Sequence, residues 1–344
     1  VGKSQIGIAM SGGVDSTACA LLLQNKYDVQ GFFMQLAQPD LAEQITRVEK
    51  IAEQCRIPLT IIDLTSRFEE KVLNYFSKSY QNGYTPNPCM ICNPEIKFGL
   101  FMDAIYESGI EHVATGHYAN IIDNNGCFFL QQGDDDRKDQ SYFLARLTQQ
   151  QLARVEFPLG KMTKADVYDF VEEQGFTGFR GQESQDVCFL GEHSVGHFLK
   201  MRETNPAPAG KIINTEGLHL GDHNGIYNYT IGQRKGLGIA AATPLYVIRI
   251  NAKKNRIIVG ENHELFQKHI EIEKVLWTCD KAPLDDHKYL VKIRYGHKGQ
   301  GATIKQITED RYRITFSETQ RAVTPGQFAV IYDQGLVIGS GEIL

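Results

Sequence analysis

Apolar and polar positions change rhythm near residue 204. Before it, short apolar runs alternate with stretches whose apolar positions recur every three or four residues. "QIGIAM" (5–10), "DVQGFFMQL" (28–36), "PLTIIDL" (58–64) and "EHVATGHYA" (111–119) read as buried strands. "STACALLLQNKY" (16–27), with an apolar stripe at Cys19, Leu22 and Leu23, reads as a helix. So do "LAEQITRVEKIAEQC" (41–55), "SRFEEKVLNYFSKSY" (66–80) and "PEIKFGLFMDAIYESG" (94–109), the last with Pro94 near its first turn. "IIDNNGCFFL" (121–130) predicts a hairpin through Asn125-Gly126. "DQSYFLARL" (139–147) and "TKADVYDFVEEQGF" (163–176) predict two more helices. Strand–helix alternation at this spacing predicts an α/β fold with a doubly wound parallel sheet. Such sheets bind ligands at the carboxyl ends of their strands. Met10 to Ser16, Met34 and Thr115 to His117 fall at such ends.

"TNPAPAG" (204–210) suits a linker. Beyond it come short strands, among them "LYVIRI", "RIIVG", "YLVKIRY", "ATIKQI", "RYRITF", "QFAVIYD" and "LVIGSGEI", separated by Gly and Asn turns. They predict one or two small antiparallel barrels. The expected division is residues 1–203, a small central β domain at 204–268, and a C-terminal barrel at 269–344.

Composition adds little to this picture. The chain has 344 residues, 42% hydrophobic and 22% charged, as ordinary globular proteins have. No apolar run of 18 residues and no signal-peptide pattern is visible, so the expected setting is cytoplasmic with no membrane partner. Seven cysteines, an odd number at scattered spacings, do not look like a secreted disulfide framework. Charge is more informative. Residues 1–196 carry 16 Lys and Arg against 26 Asp and Glu, a balance of −10, whereas residues 197–344 carry 20 against 15, a balance of +5. An acidic first half with a basic second half suits a catalytic domain joined to a module that grips a polyanion.

"SGGVDS" (11–16) lies between the first strand and the first helix. A glycine-rich turn there offers unpaired N–H groups and the positive end of a helix dipole to an anion. No lysine closes it, so it is not the GxxxxGK[ST] loop. Asp15 beside phosphate calls for a cation between them, so a nucleotide carrying Mg2+ is one reading. A plain helix entry capped by Asp15 or Ser16 is the other.

The hexapeptide resembles the pyrophosphate loop of the PP-loop ATP pyrophosphatases (adenine nucleotide alpha hydrolase-like). Further segments, "TPNPCMICNPEIKF", "ATGHYA", "KDQSYFLARL", "FPLGKMTKADV", "ESQDVCFLGE", "YTIGQRKGLGI", "RYGHK" and "TPGQFAVIYD", appear in the order found in tRNA-specific 2-thiouridylases of the MnmA/TrmU type. The resemblance implies ATP-dependent replacement of O2 by sulfur on the wobble uridine of tRNA. It also implies a PP-loop domain, a central β-rich domain and a C-terminal β-barrel. It puts Ala9, Met10, Ser11, Gly12, Gly13, Val14, Asp15, Ser16, Met34 and Gly116 on ATP. Asn87, Pro88 and Cys89 would face the extruded base, and His117, Lys138, Asp139, Gln140, Arg294, Tyr295 and Gln327 would contact tRNA. Cys188 would carry a persulfide brought by a sulfur-donor protein, and Cys92 would release the sulfur by forming a Cys92–Cys188 disulfide in each cycle.

Two departures stand out. Cys89 occupies the place of the family's aspartate, giving Cys-x-x-Cys, and "QLAQPDLAEQ" (35–44) holds only Asp40 and Glu43 as acids. Cys89, Cys92 and Cys188 would also suffice to hold three irons of a 4Fe–4S cluster, so a persulfide relay and a cluster are both open. An amidating PP-loop ligase and a tRNA- or cluster-binding homologue without turnover are the rival functions. Cys19, Cys55, Cys127 and Cys279 are expected to pack as small apolar residues.

Overall fold

The computed structural model describes residues 2–181, 187–191, 193–202 and 208–344. Residues 183–186 and 192 of "ESQDVCFLGE" and 204–207 of the linker therefore lie outside the described residues. The first half gives β1 (Gln5–Met10), α1 (Val14–Leu23), β2 (Asp28–Gln35), α2 (Leu41–Cys55) and β3 (Leu59–Asp63). Two long helices follow, α3 over residues 65–81 and α4 over residues 89–107, then β4 (Val113–Thr115). The hairpin strands β5 (Ala119–Asn124) and β6 (Cys127–Gln132), the two-residue β7 (Val155–Glu156), α5 (Lys164–Glu173) and α6 (Val195–Arg202) complete this half.

The sheet order is β3-β2-β1-β4-β7, and every neighbouring pair is parallel. From Ile6 to Met10 β1 is apolar, because both its faces are covered there. On one face Ile6, Ile8, Val29 and Phe33 pack with Ala18, Val48, Ile51 and Val167 from α1, α2 and α5. On the other, Phe32 meets Phe98, Met102 and Ile105 of α4. This is the doubly wound arrangement that the alternation predicts.

Two features differ from the expectation. "DQSYFLARL" is helical only over Ser141–Leu144. The Asp139 carboxylate accepts from the backbone N–H of Gly133 and Ser141, and this local bonding competes with a longer helix. In α4 the turns widen over Asn93–Leu100, with the Phe101 N–H bonding to the Ile96 carbonyl. Pro94 has no N–H to give the regular ladder, which opens it.

In the second half β8 (Gly210–Asn214), β9 (His219–His223), β10 (Tyr246–Asn251) and β11 (Arg256–Gly260) form a sheet in the order β10-β11-β8-β9. β11 and β8 run parallel, so this unit is not the purely antiparallel barrel expected. The barrel proper is built from β12 (Phe266–Trp277), β13 (Tyr289–Lys292), β14 (Gln300–Thr308), β15 (Arg311–Arg321), β16 (Phe328–Asp333) and β17 (Leu336–Ile343). It runs β12-β15-β14-β13-β16-β17 and closes through β17–β12 pairing.

β16 has no polar face. Ala329 and Ile331 point into the barrel with Ile272, Ile304 and Ile314. Phe328, Val330 and Tyr332 point the other way, into the core made by Phe98, Met102 and Tyr142. The barrel and the first half thus share one core. The Tyr142 hydroxyl donates to the Phe328 carbonyl (2.9 Å), and Ser141 Oγ lies 3.2 Å from the Tyr332 hydroxyl. The hairpin β5–β6 extends the barrel sheet, with Gln131 paired to Leu336. Cys127, at the start of β6, is disulfide-bonded to Cys279, so these two do not pack as separate apolar residues. The hairpin's addition to the barrel brings them together, across 152 residues of sequence.

Phe328→Ala should cost about 3–5 kcal/mol of stability, because the ring is 1% exposed and shared by both units. Urea unfolding checks this, and one cooperative transition shifting as a whole is the expected form.

Candidate active site

At the carboxyl end of β1 the chain enters α1 with no side-chain cap. The first turn of a ten-residue helix therefore keeps donors for an anion. Gly12 turns the loop with φ +74, where an L side chain is strained. Ser16 Oγ accepts from the Ser11 N–H (3.2 Å) and donates to the Gly13 carbonyl (3.0 Å), which holds the loop in shape. Gly116, after β4, leans on the loop so closely that a Cβ would stand 2.8 Å from Asp15 Cβ. Ala9 and Met34 line the same end of the sheet, half-buried, while Met10 and Val14 are buried beneath it.

Asp15 is already occupied. Lys164, at the start of α5, bonds both its carboxylate oxygens (2.7 and 2.8 Å), and the Tyr118 hydroxyl donates to Oδ1 (2.7 Å). The carboxylate holds a lysine at the loop instead of facing an open metal position. Among the described residues no three His, Cys, Asp or Glu side chains gather as a set able to hold a metal ion. The loop fits ATP phosphates; the described side chains do not form a Mg2+ site of their own. Sequence reading missed Lys164, because only the fold brings it 149 residues back to Asp15. It also missed Arg47 of α2, whose side chain lies against Gly12, with Cγ 3.2 Å and Nε 3.4 Å from where a Cβ would be. Arg47 and Lys50 also line a groove of about 610 Å³ between α2 and residues 175–179.

The free thiols Cys89 and Cys92 stand on the first turn of α4, and Cys188 is an exposed residue on a turn before α6. The fold brings the three within electrostatic reach of one another and of Lys97. Desolvation pushes the Cys92 thiol up to about 12 and Cys188 to about 11, and raises Cys89; Lys97 opposes the rise at each. The resting thiols are therefore protonated near neutrality. They do not form a ligand set for a metal, so the 4Fe–4S alternative finds no preformed site among the described residues. Cys19 and Cys55 are buried apolar fillers, as expected, and burial raises both thiols. His117, beside Gly116, bonds Thr115 Oγ1 through Nδ1 (2.7 Å), and burial, then Lys97, holds it neutral.

Residues 4–192 match a family model described as "tRNA methyl transferase HUP domain". Residues 196–261 match "tRNA methyl transferase PRC-barrel domain", and 267–343 match "Aminomethyltransferase beta-barrel domain". The chain is 52% identical over 342 residues to the tRNA-specific 2-thiouridylase MnmA of Desulfotalea psychrophila, covering 99% of each chain. It is 40% identical to that of Syntrophomonas wolfei, over 98% of this chain and 99% of the other. The chain belongs to the MnmA family of tRNA-specific 2-thiouridylases.

In this MnmA-family chain the residues expected around tRNA are spread between the two halves. Asn87 and Pro88 are buried, and Cys89 is half-buried. The segment is held by the barrel: the Thr85 N–H donates to the Pro325 carbonyl (2.9 Å), and Gln327 Nε2 donates to the Thr85 carbonyl (2.8 Å). Gln327 therefore holds the strip that leads from Thr85 to Asn87, Pro88 and Cys89. Asp139 is 5% exposed and spent internally, on Gln132, Gly133, Ser141 and Lys292 of β13. Gln140 Oε1 accepts from the Tyr118 N–H, and Lys138 is half-buried beside them. Arg294 is exposed, and Tyr295 is exposed while stacked on Phe143 (4.4 Å between ring centres).

Gly116→Val should force the loop apart, since the added carbons meet Asp15 backbone 2.9 Å away. ATP binding should weaken at least tenfold, about 1.4 kcal/mol, while the melting temperature moves by only a few degrees. Calorimetric titration with ATP checks it.

Proposed function

We propose that this protein replaces O2 of the wobble uridine of tRNA with sulfur, through an adenylated uridine and a persulfide on Cys188. The observation that carries this reading is that Cys92, on the first turn of α4, and Cys188, on a distant turn, come within electrostatic reach of one another and of Lys97. A carbonyl oxygen is a poor leaving group, so ATP first converts it to an O-adenylate and releases pyrophosphate. The terminal persulfide sulfur then attacks C2. The C2–O bond breaks, and AMP leaves with its electron pair and the persulfide proton. Cys92 attacks Cys188 Sγ, the Sγ–S bond breaks, and its electrons stay on the sulfur now bound to C2. The Cys92 proton goes to N3 of the base, and a Cys92–Cys188 disulfide remains. An external dithiol reduces it, and a persulfide-carrying donor protein reloads Cys188.

In this reading the base is unstacked and enters beside Asn87, Pro88 and Cys89. The basic second half, with Arg294 and Tyr295 at the barrel surface, holds the tRNA backbone. His117, Lys138 and Gln140 line the path between them. The division at 1–203, 204–268 and 269–344 assigns adenylation to the first unit and tRNA contact mainly to the last. No described helix is long and apolar enough to cross a membrane, and the reading places the reaction in the cytoplasm.

Three measurements test it. Asp15→Ala should lower pyrophosphate release, measured with tRNA and ATP, by roughly a hundredfold, about 3 kcal/mol in barrier, because Lys164 loses its anchor at the loop. Wild-type release in the variant would overturn the role given to the loop. Arg294→Ala should weaken tRNA binding and make its dependence on salt shallower by about one phosphate contact; filter binding over a salt series reads this. Cys89→Asp restores the commoner family residue. It should keep at least about a tenth of the tRNA thiolation, a cost of about 1.4 kcal/mol or less. If thiolation falls to background while the variant is folded and still consumes ATP, Cys89 is a ligand or nucleophile, and a cluster replaces the relay.

A further inference from the structure

Lys97 is the cation common to all three thiols. In an ordinary α-helix, residues five apart do not share a face. The widened turns over Asn93–Leu100, bonded five residues apart, bring Lys97 round to the side of Cys92. Lys97 is half-buried, and its Nζ lies 3.5 Å from His117 Nε2. His117 is neutral and offers a lone pair, not a charge. Among the described residues no carboxylate pairs with Lys97, whereas the partly buried Lys71, Lys164 and Lys292 each have one. A half-buried ammonium without a counter-charge is costly unless an anion arrives during function. It stands between Gly116–His117, which lean on the anion loop, and the cysteines of α4.

We propose that Lys97 is a further catalytic residue of sulfur transfer, whose ammonium balances the negative charge on sulfur when Cys92 attacks Cys188 Sγ and frees the sulfur bound to C2. This rests on the sulfur-transfer reading above. Lys97 forms and breaks no bond in that step. It lowers the energy of the thiolate that attacks and of the sulfur that receives the electron pair, a task the surrounding apolar packing by itself opposes. Cys89, on the same turn, gains reactivity from the same charge.

The test compares Lys97→Met, Lys97→Arg and wild type, each checked for folding by its melting temperature. Protein without substrates is treated with iodoacetamide at pH 7.5, and labelling of Cys92 and Cys188 is followed by peptide mass mapping. Labelling in Lys97→Met should be at least about tenfold slower, and Lys97→Arg should recover most of the difference. tRNA thiolation should follow the same order. Unchanged labelling in a folded Lys97→Met variant would overturn the proposal, as would equal losses in the Arg and Met variants. Wild-type protein that labels as expected but releases no pyrophosphate with tRNA and ATP would instead overturn the functional reading, while leaving the charge assignment to Lys97 intact.

Discussion

The dry contact between α4 and β16 carries the rest of the structure. Phe98 and Met102 from the helix, Tyr142 from the following segment and Phe328, Val330 and Tyr332 from the barrel form one core. That core fixes the helix end on which Cys89 and Cys92 stand. It also presses residues 325–327 onto residues 84–85, which aligns the strip holding Asn87 and Pro88. The buried Asp139–Lys292 pair (3.4 Å) adds a polar tie across the same seam. Removing either partner would leave an uncompensated charge indoors, so the pair fixes register more than it adds stability.

The site joins two opposed environments. The loop end is polar, with open helix donors and the Asp15–Lys164 pair. At the thiol end Cys89 and Cys92 are half-buried beside the exposed residue Cys188, and the raised thiols are neutral at rest. The proposed adenylation suits the first, and the proposed handling of a reactive sulfur suits the second. Lys97 and His117 lie where the two meet.

Much of this was legible in the chain. The alternating strands and helices of the first half rest on local periodicity, and "QIGIAM" and "LAEQITRVEKIAEQC" coincide with β1 and α2. "SGGVDS" left an anion loop and a capped helix entry both open, and the structure shows an entry without a side-chain cap, turned by Gly12. The 3.6-residue pattern did not reveal the widened turns of α4, which depend on how Pro94 is accommodated. Nor did it reveal β12, whose exposed first residues carry little apolar signal. Lys164, Arg47 and the Cys127–Cys279 bond depend on contacts between distant segments, for which a single sequence holds no local sign. Asp139 was expected at the tRNA surface; its polar setting, "RKDQ", looks the same whether a carboxylate is solvated or buried and bonded.

The union of hairpin β5–β6 with the barrel bears on how the molecule is made. β16 and β17 leave the ribosome after every other strand, yet Phe328 and Tyr332 are needed to cover Phe98, Leu130 and Tyr142. Until they arrive, a nascent first half shows an apolar face and an unpaired β6 edge. The cysteine strip is set in place only when Gln327 and Pro325 dock on Thr85. Assembly order thus acts as a safeguard: a partly synthesised chain that already holds the glycine-rich loop still lacks an aligned cysteine strip.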